Sequence, residues 1–199
     1  MMTSWSNRRS PRGYSASGIS KLASALLRCL AVTGMNSERL SARARQPGHD
    51  RTFIESENRF LAVANSTLHP DEYEVVDKPT ELRDLFGPRL GVAPEAAVVS
   101  LRTDRRFFVE VKKQGDRGNA EERACKHHTV QFYKCLHERF RYSYHPYVTI
   151  FCEALAVNPR YTMKAVHFFE PGHYLLWIDY RPDILRDFLL ARCRNWLDD

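Results

Sequence analysis

The chain lacks most of what marks membrane, secreted and repeat proteins. No apolar run approaches the roughly 20 residues that a membrane-spanning helix needs. The longest candidate, residues 19–32, is interrupted by Lys21, Ser24 and Arg28 and has no small-residue cleavage site, so no secretory signal is expected. Cysteine is sparse and odd in number: Cys29, Cys125, Cys135, Cys152 and Cys193 are scattered, and no CxxC occurs. That argues against a disulfide framework and for reduced thiols in a cytoplasm. Cys125, His127, His128 and Cys135 do not have the spacing of a usual zinc finger. Internal repeats and a low-complexity core are also absent, which excludes solenoids and fibrous proteins.

What is present is the composition of a globular domain. At 199 residues, with 43% hydrophobic and 27% charged residues, the chain is long enough for one real core and too short for two comfortable ones. The net charge of +6 is unevenly placed. Residues 1–50 carry 8 Lys and Arg against 2 Asp and Glu, and the remainder carries 22 of each sign. A basic amino-terminal quarter suits a phosphate backbone, and it equally suits a solvated tail. Residues 1–16, rich in Ser, Arg and Gly, read as a flexible basic arm, and residues 17–199 as a single domain.

Hydrophobic periodicity places helices over residues 19–32, 53–64 and 79–86, the last ended by Gly87-Pro88, with a polar loop over 40–51. Strands are expected over 73–76, 96–101, 106–111, 148–155 and 174–180, with Trp177 in the core. Residues 119–140 read as one helix with Ala120, Ala124, Phe132, Leu136 and Phe140 on one face. A terminal helix starts at Pro182. Helices and strands alternate irregularly, so the fold class is α/β with a mixed sheet flanked by helices.

The chemistry concentrates in residues 94–123. Glu95 follows a proline, and Glu110 and Lys112 end an apolar strand. If Thr103-Asp104 is a two-residue hairpin loop, Glu95 faces Lys112 and Ala97 faces Glu110. Residues two apart on a strand share a face, so the three side chains converge; an odd-length loop would separate them. Two carboxylates suit Mg²⁺, a hard ion that takes oxygen ligands. Such an ion lowers the pKa of a bound water and stabilises charge on an attacked phosphate, while Lys112 adds a point charge that orients or deprotonates the water. The same residues also fit a strand with alternating charge on a solvated face. Seven residues after Lys112 begins Asn119-Ala120-Glu121-Glu122-Arg123. Asn pairs with adenine edges, Arg with guanine, and an Ala methyl meets thymine. The alternative is a Gly-Asn cap on a charged helix.

Pro94-Glu95, then Glu110-Val111-Lys112 with Gln114-Gly115, then Gly118-Asn119-Ala120-Glu121-Glu122-Arg123 together resemble the EcoRI/MunI group of type II restriction endonucleases, within the PD-(D/E)XK nuclease superfamily. The chain length and the spacing from acid to ExK are similar to the MunI side of that group. The resemblance implies a Mg²⁺-dependent endonuclease that acts as a homodimer on a palindromic duplex with an AATT core and leaves 5′ overhangs. It implies catalytic Glu95, Glu110 and Lys112, metal binding by Glu95 and Glu110, and base reading by Asn119, Ala120, Glu122 and Arg123. It also implies a cytoplasmic enzyme of a prokaryotic cell with a cognate DNA methyltransferase as genetic partner. Lys113, Gln114, Arg117 and Gly118 are further candidates for DNA contact. One departure stands out: the group's aspartate is Glu95 here, one methylene longer. A catalytically weakened DNA-binding protein, or a repair or mobile-element nuclease of the same superfamily, fits the same motifs. Among nearby residues, His127 and His128 lie on the expected reading helix, and Tyr142, Tyr144, His145 and Tyr147 form an aromatic set before a core strand.

Overall fold

Apolar side chains on both faces of residues 96–111 call for a strand pair covered on both sides, and that pair is the centre of the fold. In the computed structural model, residues 49–114 and 118–198 are described. The expected arm at 1–16, the helix at 19–32 and the start of the domain at 17 lie outside them, as do Gly115 and Arg117. Helix α1 (His49–Thr67) precedes strand β1 (Tyr73–Asp77), helix α2 (Glu81–Phe86) and the hairpin β2 (Ala96–Ser100) and β3 (Arg106–Gln114). Then follow α3 (Ala120–Cys125), α4 (Val130–Phe140), β4 (Tyr147–Glu153), α5 (Ala154–Val157), α6 (Pro159–Phe168), β5 (Tyr174–Trp177) and α7 (Pro182–Arg192). The five strands form one sheet in sequential order. β1, β2 and β3 are antiparallel neighbours, while β4 and β5 join in parallel, so the expected mixed α/β sheet is observed.

Each face of the sheet is buried by a helix stripe. Phe60, Ala64 and Leu68 recur at helical spacing and pack with Leu185, Leu189, Val98, Val109, Ile150 and Trp177 on one face. On the other face Leu82, Phe132 and Leu136 cover Ala97, Phe108 and Tyr147. Ala120, Ala124, Tyr161 and Ala165 cover Phe151. The aromatic set before β4 continues into the core as a stack, with ring centroids 5.0 Å apart for Tyr142–Tyr144 and 5.1 Å for Tyr144–Trp196. Packing, not stacking on nucleic acid, therefore accounts for Tyr142 and Tyr144.

The expected hairpin register is corrected. Ala97 faces Phe108, not Glu110, and Ala96 faces Val109. The Ser100 N–H donates to the Arg105 carbonyl at 2.9 Å, so the turn comprises residues 101–104. Asp104 takes the left-handed conformation at φ 56°, which closes this longer turn. The Thr103 hydroxyl ties it to the Leu197 carbonyl at 2.7 Å. The register slides by two residues and strand parity survives.

The expected helix over 119–140 is also corrected: it is two helices. A 3₁₀ turn at Lys126–His128 follows α3, and Thr129 is extended at φ −77° and ψ 148°. Thr129 Oγ1 accepts from the Phe132 N–H at 3.2 Å and caps α4. Ala120 and Ala124 consequently belong to a different cluster from Phe132 and Leu136. The strand expected over 148–155 stops at Glu153, whose φ of 54° turns the chain into α5. That expected over 174–180 stops at Trp177, where a 3₁₀ turn at Ile178–Tyr180 begins. The loop expected over 40–51 gives way to α1 by His49. Helix α6 was not anticipated, although Asn158 caps it through Oδ1 to the Arg160 N–H at 3.0 Å and proline opens it.

Thr129→Ala is expected to destabilise the protein by about 1 kcal/mol in urea unfolding. A continuous helix would instead gain from alanine at that position.

Candidate active site

Glu95 precedes β2, and Glu110 and Lys112 lie on β3. Because the turn has an even number of residues, all three project to the face that carries Ala97 and Phe108. The Lys112 ammonium contacts Glu110 Oε1 and lies 3.6 Å from Glu95 Oε1. The Glu95 N–H donates to the Val109 carbonyl at 2.9 Å, continuing the ladder one residue beyond β2. Its Oε2 accepts from the Val111 N–H, also at 2.9 Å. The extra methylene of glutamate thus lets this side chain reach across and cap a β3 amide.

Two further residues frame the carboxylates. Tyr147 is fully buried and donates its hydroxyl to Glu110 Oε2 at 2.7 Å. In the parallel register it stands opposite Phe108, two residues before Glu110 and on the same face. His127 Nδ1 lies 3.9 Å from Glu110 Oε2. Burial, with Lys126 and Lys112 nearby, holds His127 down to about 2, so it is neutral and this contact is not an ion pair. Among the described residues, neither ring nitrogen of His127 has a hydrogen-bond partner. Tyr147 and His127 escaped the motif reading, because their placement depends on the β3–β4 pairing and on the break before α4.

The electrostatics are those of a crowded acidic pair. Burial first, and then Glu110, pushes the Glu95 carboxyl from the usual 4.5 up to about 7, against the opposing pull of Lys112. Burial would lower Lys112, but Glu110 and Glu95 outweigh it and hold the ammonium above 10.5. Lys112 therefore enters as a cation. Lys126 is a second cation in the same field. Partial burial lowers it, Glu110 opposes, and Lys112 and Arg123 add to the lowering.

The second motif leaves the sheet at Gln114. The Gln114 side chain is buried, and its Oε1 accepts from the Ala120 N–H at 2.7 Å. Gly118 sits against it at φ 147°, where an added Cβ would lie 2.4 Å from Gln114 Oε1. Glycine is required there both by conformation and by space. Asn119 and Arg123 are exposed, and the Asn119 side chain makes no capping hydrogen bond. Ala120 is buried against the core, with its methyl away from solvent. Glu122 is exposed and bonds Lys164 at 2.9 Å; buried Glu121 bonds the same ammonium at 2.8 Å. Lys113 points to the opposite face from Lys112 and pairs with Glu153. His128 bonds Thr149 Oγ1 through Nε2 at 2.9 Å. The structure thus brings Glu95, Glu110 and Lys112 together and exposes Asn119, Glu122 and Arg123. It turns Lys113, Gln114 and Ala120 inward.

A carboxyl raised in the folded state favours its protonated form, so its contribution to stability is full below about 4.5 and is lost as pH rises towards 7. Glu95→Gln keeps an acceptor for the Val111 amide and removes that cost. In chelator, the variant is expected to be more stable than wild type by about 2 kcal/mol at pH 8 in urea unfolding, with the gap closing at pH 4. A gap that does not change with pH would assign the effect to packing.

No curated protein matches the chain. Among solved structures, the crystal structure of MunI restriction endonuclease in complex with cognate DNA is similar. It is 17% identical, with a TM-score of 0.49, and the match covers 71% of this chain and 94% of that one. The family described as type II restriction enzyme MunI matches residues 35–197, most of the sequence. The chain therefore belongs to the MunI family of type II restriction enzymes and is a site-specific deoxyribonuclease that binds DNA.

Proposed function

We propose that this enzyme hydrolyses both strands of a palindromic duplex with an AATT core and leaves 5′ overhangs, using Glu95, Glu110 and Lys112. The observation that carries the reading is the convergence of these three side chains, with Asn119 and Arg123 exposed on the segment that follows β3. The donor chemistry fits a divalent metal such as Mg²⁺: two carboxylates lie side by side with Lys112 as the cation between them. Glu95 and Glu110 would hold it, and when bound it lowers the pKa of water and offsets charge on the phosphate.

The chain's own residues do the rest. Tyr147 fixes the Glu110 carboxylate by its hydroxyl and limits where the other oxygen points. Lys112, kept protonated by its acidic neighbours, stabilises negative charge developing on the phosphate and is poorly suited to abstract a proton. Phe108 and Phe132, buried beneath the site, keep its floor apolar. Asn119 and Arg123 read base edges from the first turns of α3, and Glu122 joins them when released from Lys164. Gln114 and Gly118 position the start of that helix, and Ala120 contributes its backbone. Arg117 binds phosphate. A two-fold protein presents the same reading helix to both half-sites, so a homodimer on a palindrome is the economical assembly. The enzyme acts in the cytoplasm of a prokaryotic cell, alongside a methyltransferase that protects the same site. Among the described residues no helix is long and apolar enough to cross a membrane.

Purified protein with Mg²⁺ and DNA carrying many AATT-centred hexamers is expected to yield discrete fragments. Selective binding without cuts would favour the weakened DNA-binding reading. Lys112→Ala is expected to abolish cutting while specific binding remains, as measured by gel shift; retained cutting would remove Lys112 from the chemistry. Arg123→Ala is expected to weaken specific binding by about 1–3 kcal/mol and spare non-specific affinity. Equal loss on every sequence would make Arg123 a phosphate contact.

A further inference from the structure

One cleft beside the catalytic residues has no role in the reading above. It encloses about 350 Å³, and its lining includes Glu57, Lys78, Thr80, Arg83, Pro94 and Glu95. It therefore borders Glu95, the first of the proposed catalytic residues. Sheet order sets its position. Strand β1 borders β2 on the side away from β3, whereas the proposed base-reading segment at α3 follows β3. A DNA strand running from that segment across Lys112, Glu110 and Glu95 continues over the end of β1.

Lys78 is fixed to that place. It follows β1 in the left-handed conformation at φ 48°, which residues other than glycine seldom adopt. Its N–H donates to the Glu95 carbonyl at 2.9 Å, so the lysine backbone is tied to the backbone of the catalytic acid. Arg83 lies on the exposed side of α2 and makes no ion pair among the described residues. Its nearest acidic candidate in sequence, Asp84, accepts instead from the Thr80 hydroxyl at 3.2 Å. Lys78 faces Glu57, whose carboxyl is half-buried at the same cleft. Lys112 is engaged by Glu95 and Glu110, whereas neither Lys78 nor Arg83 makes an ion pair among the described residues, which leaves both cations of the cleft for an anionic ligand.

We propose that this cleft binds a backbone phosphate of the DNA strand next to the scissile one, with Arg83 and Lys78 as its cations. The inference rests on the nuclease reading and adds a subsite to it. Arg83 offers planar donors that match two phosphate oxygens. Lys78 adds a point charge beside it. Such contacts hold the strand in register across the catalytic residues and carry no base information.

The test compares wild type with Arg83→Ala and with Lys78→Asn, the latter because asparagine tolerates left-handed backbone. DNA binding is measured in chelator over a range of salt, on an AATT-centred duplex and on an unrelated one. Each variant is expected to lower the slope of log K against log salt by about 1 and to weaken both duplexes by roughly tenfold at 0.1 M salt. Their unfolding temperatures stay at the wild-type value. Arg194→Ala, at an exposed position in the carboxy-terminal turn, is expected to keep the wild-type slope. A neutral methylphosphonate placed beside the scissile phosphate weakens wild type and leaves Arg83→Ala unchanged. Wild-type slopes in both variants would overturn the subsite while leaving the nuclease reading intact. A wild-type protein that neither binds nor cuts DNA would overturn the nuclease reading, and the subsite with it.

Discussion

Side chains two apart on a strand point the same way, and the site depends on that parity. The turn between β2 and β3 spans residues 101–104, an even number, so Glu95 reaches the face occupied by Glu110 and Lys112. One residue more or fewer would carry the proline-linked acid into the opposite core, against Val109 and Ile150. The Thr103 bond to the carboxy-terminal Leu197 carbonyl and the left-handed Asp104 hold that count. A contact at the far end of the hairpin therefore decides the chemistry at this end.

Keeping two carboxylates together below the surface works against folding, since buried charge is costly unless paired. The protein offsets this with specific partners: Tyr147 for Glu110, the Val111 amide for Glu95, and Lys112 for both. Apolar clusters on both faces keep the strands from yielding to the repulsion. The elevated Glu95 is the strain that remains. Such perturbed groups belong where a ligand supplies the missing charge.

Much of this was legible in the sequence. Strand alternation and the motif spacing place Glu95, Glu110 and Lys112 on one face with a two-residue turn as well as with the four-residue turn observed, because the slide of two preserves parity. The apolar stripes of α1 and α7 were equally plain. The break at Thr129 was less visible: the apolar spacing from Ala120 to Phe140 fits one helix, and only the tertiary split between two clusters ends it. Tyr147, His127 and Lys78 were not identifiable as site residues. Their positions follow from a parallel pairing and a backbone twist that join distant segments, and no local pattern records either. Lys113 and Ala120 belong to otherwise legible motifs, yet the structure turns their side chains inward.

The hydrogen bond between Glu95 and the Val111 amide makes one carboxylate serve two partners. With Oε2 committed to the strand, a single oxygen is left to face Lys112 and any bound ligand. A ligand that takes both oxygens must strip a β3 amide of its acceptor at the point where β2 no longer covers the strand edge. The solvent exchange of one backbone proton is thereby linked to the denticity of one side chain, and Val111 becomes a built-in gauge of how Glu95 is engaged.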